Sequence, residues 1–419
     1  MILSKEEVAD KLKQLQANPS IGEKGKIMAG SDTPGKKRLI KASSDTPTIE
    51  FVKTHNDTVY EFKQNEETIL TSSDSDLPLI LGKFDSIEDE MPPNMKDWLE
   101  NYGEEIEWYQ STGKDIELPG FADAAPKSVL KTIGPLLNCK WGQSSPYNSA
   151  ISFNGNTCMT GCGGTAIAMM WYYWACQSHN GKYYHRGCVK LPSYITRTNK
   201  YKVEGLPNIT TFDFKNMTSG KPTKSAQIKA VGDLMKYCGC SIKSDFGPGA
   251  TSSYLSDIRN SLADCFKMGD VITIAANSDS KFELKIINEL ENERCVLFFG
   301  TGSNGGHFFI CDGYNSSTNL FHFNWGWGGN YNGWFALSAL NPSHYAFNTN
   351  KKALIHIQPQ YVLGDINGDG EVTVSDVMAL QNQILTGHTS YKSDVNNDGN
   401  ADVADLMTIV GAVTGKNDI

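Results

Sequence analysis

Hydrophobic and polar positions change their period several times along the chain. At the start, "MILSKEEVADKLKQLQ" sets apolar residues at helical spacing among charges, which predicts an amphipathic helix and not a signal peptide. "DTPTIEFVKTHNDTVYEFKQNEETILT" then alternates in short runs divided by turn residues, predicting a small sheet. Helical spacing returns in "NMKDWLENYGEEIEWYQ". From about residue 127 the pattern is helical first, in "TAIAMMWYYWACQ", "SAQIKAVGDLMKYCG" and "SYLSDIRNSLADCF". It then becomes strand-like, in "CVLFFGTG", "GHFFICDGYN", "NLFHFNWGWGG", "GWFALSAL" and "KALIHIQP". Helices followed by strands predict an α+β body with a helical part and an antiparallel sheet or barrel. No apolar run approaches the ~20 residues of a membrane span.

The last segment has a different pattern. "GDINGDGEVTVSDVMALQNQIL" and "SDVNNDGNADVADLMTIVGAV" repeat one motif, so a structural account of the repeat comes first. Each copy sets side-chain oxygens at loop positions 1, 3, 5 and 12: Asp365, Asn367, Asp369 and Asp376, then Asp394, Asn396, Asp398 and Asp405. Gly370 and Gly399 stand at the sharp turn, and Glu371 and Asn400 follow with a backbone carbonyl. Oxygens packed this closely repel one another unless a hard divalent cation neutralises them, and an oxygen-only set favours calcium over zinc. A helical pattern follows each loop and no entering helix precedes it. This loop-helix duplication, closed by Asp, resembles a type I dockerin. The resemblance implies two structural calcium ions and docking onto the cohesin domain of a scaffold protein. It also implies that loop positions 10 and 11 read the partner: Val374 and Ser375, then Val403 and Ala404. Their near-identity predicts a pseudo-symmetric module able to dock in two orientations.

Charge agrees with that division. The formal net charge is -9, and nine Asp/Glu against two Lys lie beyond Val362, so the tail carries -7 and the body -2. A near-neutral body has no basic surface for nucleic acid or an anionic membrane. Hydrophobic residues at 39 % suffice for a real core.

Ten cysteines are too few for a disulfide scaffold in a chain of 419 residues. In "NTCMTGCGGTAIAMMWYYW", Cys162 falls at the first turn of a predicted helix, where unpaired N–H groups and the helix dipole favour a thiolate; Cys158 lies a turn outside. A thiolate needs a base. His307, in "GSNGGHFFICDGYN", stands at a strand start behind two glycines that leave room for a substrate chain. "FNWGWGG" then offers Asn324 to orient the imidazole and a Trp to shield it. Zinc held by Cys158, Cys162, Cys238 and Cys240 is the competing account, but its spacings suit standard sites poorly.

Taken in order, "LPLILGKFDS", "GQSSPYN", "TGCGGTAIAMM", "FGPG", "GGHFFICDGYN", "FHFNWGWGG" and "ALNP" resemble the streptopain-type cysteine peptidases, a papain-like group. The resemblance implies Cys162 as nucleophile, His307 as general base and Gln143 as the oxyanion-hole side chain. It implies Trp325 as the active-site tryptophan, Asn324 as orienter, and Gly306 with Ser252 and Ser253 against the substrate. No catalytic cofactor is implied. Residues 1–126 become an inhibitory propeptide cut near Ala124 to Lys127, residues 127–358 the papain-like domain and 362–416 the dockerin. The whole reads as a secreted zymogen acting on protein substrates from a cell-surface or secreted multi-enzyme complex. An inactive papain-like scaffold and a Cys-His acyltransferase are the alternatives.

Overall fold

The fold is that of a computed structural model. It describes residues 2–17, 48–85, 90–113, 131–177, 189–208, 212–269, 271–276, 281–302, 305–338, 351–359, 363–367, 371–387, 393–396, 398 and 400–416. The expected cleavage junction at Ala124 to Lys127, and Asp369 of the first loop, lie outside these residues. The chain forms two compact units, one of Met1–Leu136 with Thr273–Ala353 and one of Leu137–Ile272 with Leu354–Ile419.

In the first unit, helix α1 (Lys5–Ala17) is the predicted amphipathic element. Its Val8 and Leu12, with Leu3, bury against Phe62 and Ile69. The predicted small sheet is an antiparallel meander of β1 (Ile49–His55), β2 (Val59–Gln64) and β3 (Glu67–Ser72), extended by β4 (Ile80–Asp85). Helix α2 (Pro93–Trp108) begins with Pro at its first position, where no N–H is required. The later strands are β5 (Val296–Gly302), β6 (Gly305–Asn315), β7 (Leu320–Asn324), β8 (Gly333–Phe335) and β9 (Lys351–Ile355). Strand β8 pairs with β4, through Gly333 with Phe84 and Phe335 with Gly82. One sheet therefore runs β1-β2-β3-β4-β8-β7-β6-β5-β9 and ends on a strand at Ile272–Ala275, with a short strand at Thr132–Ile133 also paired to β6. Strands from the two ends of the unit's sequence share their hydrogen bonds. A further helix at Phe282–Glu291 is one that the hydrophobic pattern does not predict.

In the second unit, helix α3 (Cys162–Tyr172) is buried at every position from Gly163 to Tyr172, as a predominantly apolar run requires. Helix α4 (Ser225–Ser241) packs against it, and α5 (Leu255–Asp264) presents Ile258 and Leu262 to the same core. The "GG" after Cys162 has a packing cause. A Cβ on Gly164 would lie 3.2 Å from the Gly239 Cα of α4, and one on Gly163 would meet Ser253 Oγ and, at 2.9 Å, Ile258 Cδ1. In the tail, α6 (Val374–Thr386) and α7 (Val403–Val413) close over Ile366, Leu380, Val395 and Ile409, a core that repeats with the sequence.

Candidate active site

Cys162 is the first residue of α3 and is half-buried. Gly161 before it has φ 83°, and a Cβ there would strike Thr251, so this turn demands glycine. The Gln143 carbonyl accepts the Thr160 N–H at 2.9 Å, which ties the "GQSSPYN" segment to the residue two before Cys162. Ser252 pairs with Asp245 through the main chain, and Ser253 Oγ rests on Gly163. Gln143, Cys162 and Ser253 thus belong to one neighbourhood. Cys158 differs: it is fully buried, its Sγ lies 3.7 Å from the Asn156 carbonyl oxygen, and burial pushes its thiol up. It is a free thiol, as is Cys240, and no zinc-type cluster occurs among the described residues.

His307 lies on β6 opposite Gly300 of β5, 4 % exposed. Its Nε2 is 2.9 Å from the Trp325 carbonyl oxygen. A carbonyl only accepts, so Nε2 carries the proton and the Nδ1 lone pair is left as base. Burial pulls the imidazole down to about 4, against a smaller opposing effect of that bond, so at neutral pH it is uncharged. The orienting contact comes from the Trp325 main chain. The Asn324 side chain, expected from sequence to perform that task, accepts the Gly326 N–H at 3.2 Å. Two tryptophans stack on the imidazole. The nearer is Trp327, at 4.7 Å between ring centres, and Trp325 lies at 6.4 Å. Trp327 is only half-legible in the sequence: the motif displays both rings, while spacing cannot rank them. Gly305 and Gly306 are exposed beside His307 and leave the backbone open.

The pocket containing His307 has a second wall. Helix α2 contributes Asn94, Asp97, Trp98 and Asn101, facing Gly300, Thr301, Trp325 and Lys351. Asn94 Nδ2 is 3.5 Å from the Gly305 carbonyl oxygen. Trp98 stands edge-on to Phe309, Phe323 and Trp325 at 5.7, 5.4 and 5.6 Å. Such aromatic pairs each add about 0.5–1.5 kcal/mol beyond burial, so the indole anchors α2 firmly.

The tail repeats its geometry as closely as its sequence. Asp376 Oδ1 accepts from the Ile366 and Asn367 N–H groups, and Asp405 Oδ1 from those of Val395 and Asn396. Each carboxylate also caps its helix, through Thr373 and Asp402 respectively. Burial raises Asp405, but its N–H donors outweigh this and hold the carboxyl below its usual range. Asp394 Oδ1 and Asn396 Oδ1 both accept the Asp398 N–H, and Asn400 N–H reaches Asp398 Oδ1. Asp365 is 3 % exposed. With Glu371, these are oxygen donors alone, the set suited to calcium. Among the described residues, which leave out Asp369, no three acidic, His or Cys side chains converge. Val374, Met378, Val403 and Met407 are 60–66 % exposed, an apolar set repeated across the two helices.

Comparison with known proteins agrees with both parts. Residues 141–335 match the Peptidase C10 family, and 363–413 the dockerin type I domain. Streptopain of Streptococcus pyogenes is 28 % identical over 325 residues, spanning 70 % of this chain and 78 % of that protein. Thiol protease/hemagglutinin PrtT of Porphyromonas gingivalis is 26 % identical over 335 residues, 72 % of this chain and 37 % of that one. In fold, the chain is similar to a fragment of prointerpain A from Prevotella intermedia, with a TM-score of 0.63 at 24 % identity, covering 75 % of this chain and 100 % of that one. The α+β, papain-like expectation holds, and the chain is a cysteine peptidase built from a Peptidase C10, streptopain-like domain and a C-terminal, calcium-binding type I dockerin.

Proposed function

We propose that the chain is a secreted endopeptidase made as a self-inhibited zymogen, with residues 1–126 as the inhibitor, 127–358 as the peptidase and 362–416 as the dockerin. One observation carries this reading: the only side-chain hydrogen bond of His307 among the described residues goes to a main-chain carbonyl, while Trp98 of the N-terminal segment lines the other side of its pocket. The imidazole is oriented but kept dry and neutral.

Once α2 leaves, Nδ1 of His307 takes the Cys162 thiol proton and the thiolate attacks a substrate carbonyl. Gln143 and the Cys162 N–H stabilise the oxyanion. His307 returns the proton to the leaving amine and Trp325, with Asn324 behind it, holds the ring; water then hydrolyses the thioester. Gly306, Ser252 and Ser253 receive the substrate backbone. Each dockerin loop would hold one calcium ion, through Asp365, Asn367, Asp369, Glu371 and Asp376 or through Asp394, Asn396, Asp398, Asn400 and Asp405. Bound there, calcium would offset the repulsion among the loop oxygens, and the loop would hold the start of its helix. The apolar pairs beginning at Val374 and Val403, with Ser375 and Ala404, then meet a cohesin, tethering the enzyme to an extracellular scaffold. The chain is to be incubated, as wild type and as Cys162→Ala, with thiol reductant and calcium. Wild type sheds its N-terminal segment and the variant retains it. Equal shedding by both would sink the self-activation reading.

A further inference from the structure

Lys351 opens β9 and is 4 % exposed. Its ammonium donates to the Leu337 carbonyl at 2.6 Å, lies 4.6 Å from the ring centre of Trp98, and is 3.9 Å from Glu105 Oε1. Glu105, 1 % exposed, also accepts from Ser338 Oγ at 2.8 Å. Of the three groups around the ammonium, Trp98 and Glu105 belong to α2, the segment proposed to leave. An ammonium has three N–H donors, and holding one away from water without a counter-charge costs several kcal/mol, so this corner is shaped around a carboxylate. Burial draws Lys351 below the ordinary lysine range, and Glu105 opposes that shift. Loss of α2 removes carboxylate and cover together and leaves an ammonium holding one carbonyl.

The same pocket holds His307, Gly300, Thr301 and Trp325. In the mechanism above, His307 protonates the leaving amine, so groups sharing its pocket stand beside the substrate segment on the C-terminal side of the broken bond. We propose that Lys351 is a specificity-determining residue: after residues 1–126 depart, its ammonium pairs with an aspartate or glutamate side chain of the substrate on the leaving-amine side. Glu105 is then the zymogen's internal stand-in for that acid. The inference rests on the peptidase and zymogen readings and adds the substrate class.

The test uses the full chain after it has shed its N-terminal segment, with peptides differing only by Glu, Gln or Lys at each of the first three positions after the cut. Wild type is expected to prefer Glu over Gln by about tenfold in kcat/KM at one of these positions, the size of a charge-assisted hydrogen bond, and to disfavour Lys. The Glu/Gln ratio should approach one in Lys351→Met; being internal to each enzyme, it is insensitive to the fraction folded. If the variant does not fold, the order Glu, Gln, Lys in wild type, flattening at high salt, supplies the answer. A flat order in wild type, or a Glu preference that survives in Lys351→Met, overturns the proposal. Failure to cleave any peptide, with Cys162 unmodified by a thiol-directed epoxide, removes the peptidase reading instead.

Discussion

The cysteine region and the histidine region are built on different physics. Around Cys162 the conformation is set locally, by a glycine at φ 83° and a helix start, and adjoining glycines let Ser253 and α4 approach. The thiol is half-buried and its surroundings come from neighbouring segments. Around His307 the determinants are remote. Its hydrogen-bond partner is 18 residues on, and its pocket is walled by a helix some 210 residues earlier in the chain. The nucleophile's setting is made by residues between 143 and 258, whereas the base's setting includes a helix that the proposed maturation would remove. On the zymogen reading proposed above, control of this enzyme belongs on the histidine side.

Removing either chemical group tests that contrast most sharply. Cys162→Ala and His307→Ala should each lower kcat/KM by about 10³-fold or more, read with a peptide substrate after an added, separable protease has cut away the N-terminal segment. Trp98→Ala should leave the mature enzyme untouched but loosen α2 by about 3–5 kcal/mol, seen as premature shedding and activity in the zymogen. If Trp98→Ala matures no faster than wild type, the histidine side is not where control lies.

Acid supplies a graded version of the same test. The covered imidazole titrates near 4, below its ordinary 6.5, so an uncovered His307 takes up a proton where the covered one does not. The cover is at full strength above about pH 6.5 and weakens as pH falls toward 4, by at most about tenfold per pH unit. Shedding rates for wild type should rise over that window, and a rate that falls or stays flat contradicts it. On the cysteine side, Gly163→Ala should cost about 1–3 kcal/mol by forcing Ser253 and Ile258 apart, measured by denaturant unfolding. Cys158→Ala should be smallest, changing kcat/KM by less than about twofold, since a buried thiol with a raised pKa is no nucleophile.

Legibility follows sequence distance. The apolar periods mark α1, α2, α3 and the strands of the sheet, because each is a face of one segment. The calcium loops can be read residue by residue, since Asp365 to Asp376 and Asp394 to Asp405 each lie within twelve positions. The helix at Phe282–Glu291 escapes that reading, as does the continuity of the meander with β8. Sequence points to Asn324 for the orienting contact because side chains are what a sequence displays, and the contact found belongs to a main-chain carbonyl.

By itself, then, the sequence determined the kind of chemistry: a thiol at a helix start, an imidazole on a strand, and paired oxygen loops spaced for a hard cation. Tertiary structure alone decided how the imidazole is held, which tryptophan covers it, and that Lys351 faces Glu105. The physical reason is separation along the chain. Ser338 and Glu105 bond across 233 positions, and no local pattern encodes a partner that only folding brings near.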